Sequence, residues 1–144
     1  MKKILFLFLV AGLFYACKKE SIGAKPFISF KQYSTDSVAP ETEAMEIVLN
    51  IKDGNGDIED SIWVASFFER GDYDSTYYPK KMPSIGANKG SKVTGEVSVL
   101  LSGTDLKFHQ SGVNDSIHFK IFVRDNAGNY SDTIVTPKIP YQSQ

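Results

Sequence analysis

Ile117-His118-Phe119-Lys120-Ile121-Phe122-Val123-Arg124 is the stretch that decides the fold. Ile117, Phe119, Ile121 and Val123 take every second position, with His118, Lys120 and Arg124 in the opposite phase. Successive side chains of a strand point to opposite faces, so this period of two gives one apolar face and one polar one. A helix would need apolar residues at i, i+3 and i+4, and from Pro26 onward no such pattern is sustained. The alternation recurs twice upstream. In residues 45–52, Ile47, Leu49 and Ile51 oppose Glu46, Asn50 and Lys52, and in residues 93–101 it runs through Val97, Val99 and Leu101. Residues 27–33 are another strand candidate, and residues 61–69, SIWVASFFE, are apolar on both faces, as in a central strand.

The remaining segments read as turns and edges. Residues 70–92 are rich in Gly, Asp, Tyr, Pro and Lys, which predicts a long irregular crossing with one short edge strand near Thr76–Lys80. A final strand, Tyr130–Thr136, follows an Asp-Asn-Ala-Gly-Asn turn, and Pro137 and Pro140 are expected to end pairing. About seven strands separated by turn signals, with no helical segment, predict an all-β antiparallel sandwich.

Composition allows one such domain. The chain has 144 residues, of which 42% are hydrophobic and 12% aromatic, enough for a single core and too apolar for disorder. Sixteen basic and 17 acidic side chains leave a net charge of −1, so no positive field gathers phosphate backbones and nucleic acid is not an expected partner. No internal repeat or second composition block appears, and the expectation is one domain over residues 26–140, a monomer without a stalk.

The N-terminus has a different character. Lys2 and Lys3 precede thirteen uncharged residues, Ile4 to Ala16, and a helix of that length reaches about 20 Å, short of the roughly 30 Å hydrocarbon core. Residues 1–16 therefore read as a signal peptide, whose removal takes the net charge to −3. The run ends at Ala16-Cys17, and polarity switches at once to Lys18-Lys19-Glu20-Ser21. A lone cysteine cannot form an internal disulfide. Its thiol is, however, the only group here that lipid transfer to sulfur can use. Residues 18–25 then form a polar tether of at most about 28 Å.

Ala16-Cys17 after that apolar run resembles a bacterial lipoprotein signal, in which the cysteine is acylated. Val123-Arg124-Asp125-Asn126-Ala127-Gly128-Asn129-Tyr130-Ser131-Asp132 resembles the last hairpin of bacterial immunoglobulin-like and cadherin-like modules. Together with Asp53-Gly54-Asn55-Gly56-Asp57-Ile58, the chain is similar to small Bacteroidetes lipoproteins carrying an Asp-Gly-x-Gly-Asp-Ile segment. The resemblance implies an immunoglobulin-like sandwich anchored to membrane lipid through Cys17, with residues 17–25 as lipidated cysteine and tether. It also implies a place in the cell envelope, at the outer membrane. It brings no activity with it.

Two constellations can carry chemistry. Asp53, Asn55 and Asp57 alternate within a loop between strands, so their oxygens can converge on one hard cation. The spacing is not that of an EF-hand, since Ile58 stands where the turn glycine belongs and Val64 where the bidentate glutamate belongs. In an immunoglobulin-like arrangement the 125–129 loop opens at the same pole and adds Asp125, Asn126 and Asn129. Such a pole is a calcium site or a metal-free network of turn hydrogen bonds. The second constellation is aromatic. Tyr73, Tyr77 and Tyr78 in the long crossing, with Trp63 and Tyr130, suit stacking on a glycan or packing on an envelope protein. For Trp63 itself the expectation is a place in the core on the third strand, with the patch as the alternative.

Catalysis is not expected. His109 and His118 are isolated, and no nucleophile stands in an elbow motif near either. The acid pairs Asp57/Glu59 and Asp72/Asp74 read as solvated turn residues.

Overall fold

A computed structural model describes residues 23–70, 76–84, 86, 89–106 and 114–142. In it the alternating segments become strands β1 (Phe27–Tyr33), β2 (Ala44–Asp53), β3 (Ser61–Phe68), β4 (Tyr78–Lys81) and β5 (Val93–Ser102). One helical turn, α1 (Gly103–Leu106), follows, and then β6 (Asp115–Arg124), β7 (Ile134–Val135) and β8 (Ile139–Tyr141). One sheet has the order β1-β2-β5 and the other β4-β3-β6-β7, with β8 also paired to β6. All of these pairings are antiparallel. The chain crosses between sheets from β2 to β3, from β4 to β5 and from β5 to β6, which is the strand order of an immunoglobulin-like sandwich.

The core follows from strand parity. Met45, Ile47, Leu49 and Ile51 of β2, with Val97, Val99 and Leu101 of β5, face Ile62 and Val64 of β3 and Ile117, Phe119, Ile121 and Val123 of β6. Phe119 has no exposed surface. β2 and β5 keep one register from Ala44↔Ser102 to Asp53↔Val93, whereas β1 slips between Phe30 and Gln32. Among the described residues no helix is long and apolar enough to cross a membrane.

Four features depart from the sequence reading. The chain has a helical turn after β5, where the Asp105 carboxylate accepts both the Ser102 N–H and the Ser102 hydroxyl at 2.8 Å. The last strand is shorter than Tyr130–Thr136, because hydroxyls replace backbone partners. Ser131 Oγ accepts the Val123 N–H at 3.0 Å, and Thr136 Oγ1 accepts the Phe119 N–H at 2.8 Å. Pairing then continues through Pro140, which lies opposite Ser116 on the edge strand β8 and accepts the Val38 N–H on its carbonyl at 2.9 Å. The fourth departure concerns Trp63. Its register partner is Phe122, on the face opposite the core.

Candidate functional site

The acidic pole is assembled from the ends of two strands. Asp53 closes β2 and is fully buried, and Asp125 follows β6 with 1% exposure. Between β2 and β3 the chain turns through Gly56, whose φ of 66° is one that side-chain-bearing residues rarely adopt, and Ile58 plugs the turn into the core. Asp53 Oδ2 accepts the Asp57 N–H at 3.0 Å, which folds Asp57 back toward Asp53. The 125–129 loop is built similarly, with Gly128 at φ 88° and Asp125 accepting both the backbone N–H of Asn129, at 2.7 Å, and its Nδ2, at 2.8 Å. The Asn126 N–H donates to the Asp57 carbonyl at 2.8 Å and ties the two loops together.

As a result, one carboxylate oxygen each of Asp53, Asp57 and Asp125 lie within 4.8 Å of one another. Asp53 Oδ1, Asn55 Oδ1 and Asp57 Oδ1 are buried without a hydrogen-bond partner. Burial pushes the Asp57 carboxyl above its ordinary value, and the charges of Asp125 and Asp53 push in the same direction. Hydrogen bonds from its own backbone and from Asn55 oppose them. Of the six residues expected at this pole, Asp53, Asp57 and Asp125 bring side-chain oxygens together, and Asn55 lies in the same turn, hydrogen-bonded to Asp57 and with its Oδ1 buried. Asn126 is exposed and acts through its backbone, and Asn129 acts by orienting Asp125.

The aromatic residues form a separate surface on the outer face of the second sheet. Trp63 and Phe122 stack at 5.9 Å between centroids and 10° between planes. Phe122 is the hub, with Tyr77 at 5.1 Å and Tyr130 at 5.9 Å. Further along the face, Phe67 stacks on His118 at 5.6 Å, and Lys120 Nζ stands 4.3 Å over the Phe67 ring. Arg124 lies 5.8 Å from the Tyr130 ring and 3.6 Å from Asp60 Oδ2. Trp63 Nε1 donates to Ser61 Oγ at 2.9 Å. Ala65 is on this face by parity, yet it is buried beneath the layer of larger side chains.

Trp63 therefore does not fill the core, and the tyrosine group does not act as one patch. Alternation sends Tyr77 to the outer face, while Tyr78 pairs with Val64 and lines the inter-sheet gap with Lys80 and Asp105. Phe67 and Phe122, which the sequence reading did not single out, belong to the aromatic face. His118 is held below its ordinary value by burial and then by Lys138 and Lys120, with Glu69 opposing. Glu59 is engaged by Ser84 Oγ at 2.8 Å and the Gly86 N–H at 3.2 Å. Cys17, Asp72, Tyr73, Asp74 and His109 lie outside the described residues, as does the whole signal segment.

No family model matches the chain, and no curated protein matches it. Among solved structures, it is similar to Spo0M, a sporulation control protein from Bacillus subtilis, at 12% identity and a TM-score of 0.45. That match covers 85% of this chain and 51% of Spo0M, so the chain spans about half of that protein's length. It is also similar to a Niemann-Pick type C2 protein from the Japanese carpenter ant, at 14% identity and a TM-score of 0.37, over 86% of this chain and 97% of the other.

Proposed function

We propose that the chain is a membrane-anchored, non-catalytic binding module of the cell envelope, and that the outer face of the second sheet is its recognition surface. The observation that carries this reading is the ring cluster centred on Phe122. Trp63, Tyr77 and Tyr130 surround it on a side of the sheet that no other described element covers. Aromatic rings on a rigid sheet give large contact area with little side-chain entropy to lose. The anchoring part of the reading rests on Lys2-Lys3, the apolar run and Cys17, which together support a lipid-modified cysteine at the outer membrane. Several acyl chains on one residue hold a protein stably, since each buried CH₂ contributes about 0.8 kcal/mol.

A glycan ligand is the second reading, that of an accessory to outer-membrane nutrient uptake. It is favoured by the polar handles on the same face, namely the hydroxyls of Tyr77 and Tyr130 and the cations Lys120 and Arg124. Trp63 is the only tryptophan and stacks on the hub, so its emission reports occupancy directly. The full chain in detergent is screened on a glycan array and crosslinked in its own envelope, beside Phe122→Ala. A glycan signal lost in Phe122→Ala supports the second reading. One crosslinked envelope protein lost in the same variant supports a protein partner. Ligands retained undiminished by Phe122→Ala refute the assignment of this face.

A further inference from the structure

We propose that Asp53, Asn55, Asp57 and Asp125 hold one calcium ion, and that the ion pins the loop between the two sheets to the loop that follows β6. A cluster of acids alone would not carry this. The independent observation is that Asp53 is fully buried and yet leaves Oδ1 without a partner, while Asn55 Oδ1 and Asp57 Oδ1 in the same turn are also buried and unpartnered. Buried polar atoms are paired in the great majority of cases, and a bare charged oxygen costs more than a bare neutral one. Among the described residues, no lysine or arginine makes an ion pair with Asp53, Asp57 or Asp125. Among the described residues the charge of this pole thus has no cationic partner.

Geometry and donor type select the ion. Two oxygens bound to one calcium at about 2.3–2.6 Å are at most about 5 Å apart, and the three carboxylates converge within 4.8 Å. The donors are all oxygens, which suits a hard cation and disfavours zinc or copper. The unpartnered atoms are shielded from solvent, whereas magnesium sheds its waters reluctantly, so the dehydrated pole favours calcium. Four side chains leave room for backbone carbonyls or water in a shell of about six to eight oxygens. The two loops already meet through the Asn126 N–H and the Asp57 carbonyl, and Ile58 fixes one of them in the core. The ion would therefore enter a largely formed cage. This site is separate from the aromatic face and does not depend on what that face binds.

The test uses the full chain in detergent, titrated calorimetrically with calcium chloride and with magnesium chloride, and melted in calcium and in EDTA. One calcium should bind per chain with a Kd on the order of 10⁻⁴ M, and magnesium at equal concentration should not displace it. Calcium at about ten times Kd should raise Tm by about 4–6 °C. Asp53→Asn keeps an acceptor for the Asp57 N–H but loses the charge. It should weaken calcium at least tenfold and melt in EDTA no lower than the parent chain, an outcome that loss of a purely structural carboxylate would not give. Asn55→Ala, which leaves every carboxylate in place, is the second variant should Asp53→Asn fail to fold, and it too should weaken binding. No calcium bound at about 10 mM with Tm unchanged overturns the site, as does undiminished affinity in the variants or equal binding of magnesium.

Discussion

Phe119 and Phe122 lie on the same strand, three residues apart, and face opposite sides of the sheet, so truncating each to alanine isolates the effect of the side. Phe119 has no exposed surface and packs edge-on to Tyr33 at 6.1 Å. Its removal strips the transfer energy of a buried ring and leaves a cavity that β2 and β5 cannot close, a loss of about 3–5 kcal/mol. Phe122 is partly exposed and covers the outer face. On the order of 80 Å² of apolar contact disappears with it, worth about 2 kcal/mol at roughly 25 cal/mol per Å². Water fills the space, so no cavity cost is added. Phe119→Ala should therefore be the less stable of the two by about 1.5 kcal/mol or more, with similar urea m-values, because both variants expose the same chain on unfolding. Far-UV circular dichroism is the assay of choice, since Trp63 stacks on Phe122 and its emission would change for reasons other than unfolding. Equal destabilisation, or a greater loss in Phe122→Ala, would refute the assignment of faces and with it the recognition surface.

Two further outcomes follow from contacts at the sheet edges. Burial pushes the Asp105 carboxyl up, but hydrogen bonds from Lys80 Nζ and from the N–H and hydroxyl of Ser102 outweigh this and hold it below its ordinary value. A carboxylate lowered on folding stabilises the protein above its unfolded value and loses that contribution as pH falls through the folded one. Asp105→Asn should thus cost about 1–2 kcal/mol at pH 7, with a gap to the parent chain that narrows below about pH 4 in urea denaturation. Tyr33 is pushed up to about 12 by burial, with its hydroxyl 2.5 Å from Thr136 Oγ1 and 2.7 Å from the Pro137 carbonyl oxygen. Tyr33→Phe should cost about 1 kcal/mol and remove the hydroxyl contacts that tie the edge of the first sheet to Thr136 and Pro137 just after β7, read as a lower Tm.

How far the sequence led depended on whether one phase of a strand was polar. β2, β5 and β6 each carry one apolar phase, and their inward faces were legible residue by residue. β3 is apolar in both phases, so composition alone left Trp63 free to point either way. The information lay in β6 instead. Paired residues share a face, and Trp63↔Phe122, Ala65↔Lys120 and Phe67↔His118 put Trp63 in the phase of Lys120 and His118. The convergence of Asp53 and Asp57 with Asp125 could be anticipated, because both loops leave the same end of the sandwich. The role of Asn129 could not, since a side chain that orients a ligand and one that is a ligand have the same composition and spacing. The last strand was misjudged for a similar reason: Ser131 and Thr136 supply by hydroxyl what the backbone would have supplied.

The two surfaces meet at the end of β6. Arg124 turns outward, where it reaches Tyr130 and Asp60, and the next residue, Asp125, turns inward to the acidic pole. The same end of the sandwich receives the N-terminal tether, since Phe27 pairs with Lys52 beside Asp53, and Lys25 bridges to Asp132 at 2.7 Å. With an anchor at Cys17, residues 18–25 could hold this pole no more than about 28 Å from the bilayer. The aromatic face would then run along β3 and β6 away from the membrane, over strands of roughly 30 Å. A partner would have to approach from the side, and the acidic pole would lie between that surface and the anchor. Rigidity at the pole would then matter more than exposure, because a force on a bound partner would reach such an anchor through the start of β1, beside this pole. A cation buried among three carboxylates suits that position, whereas a ligand-binding loop would have to move there.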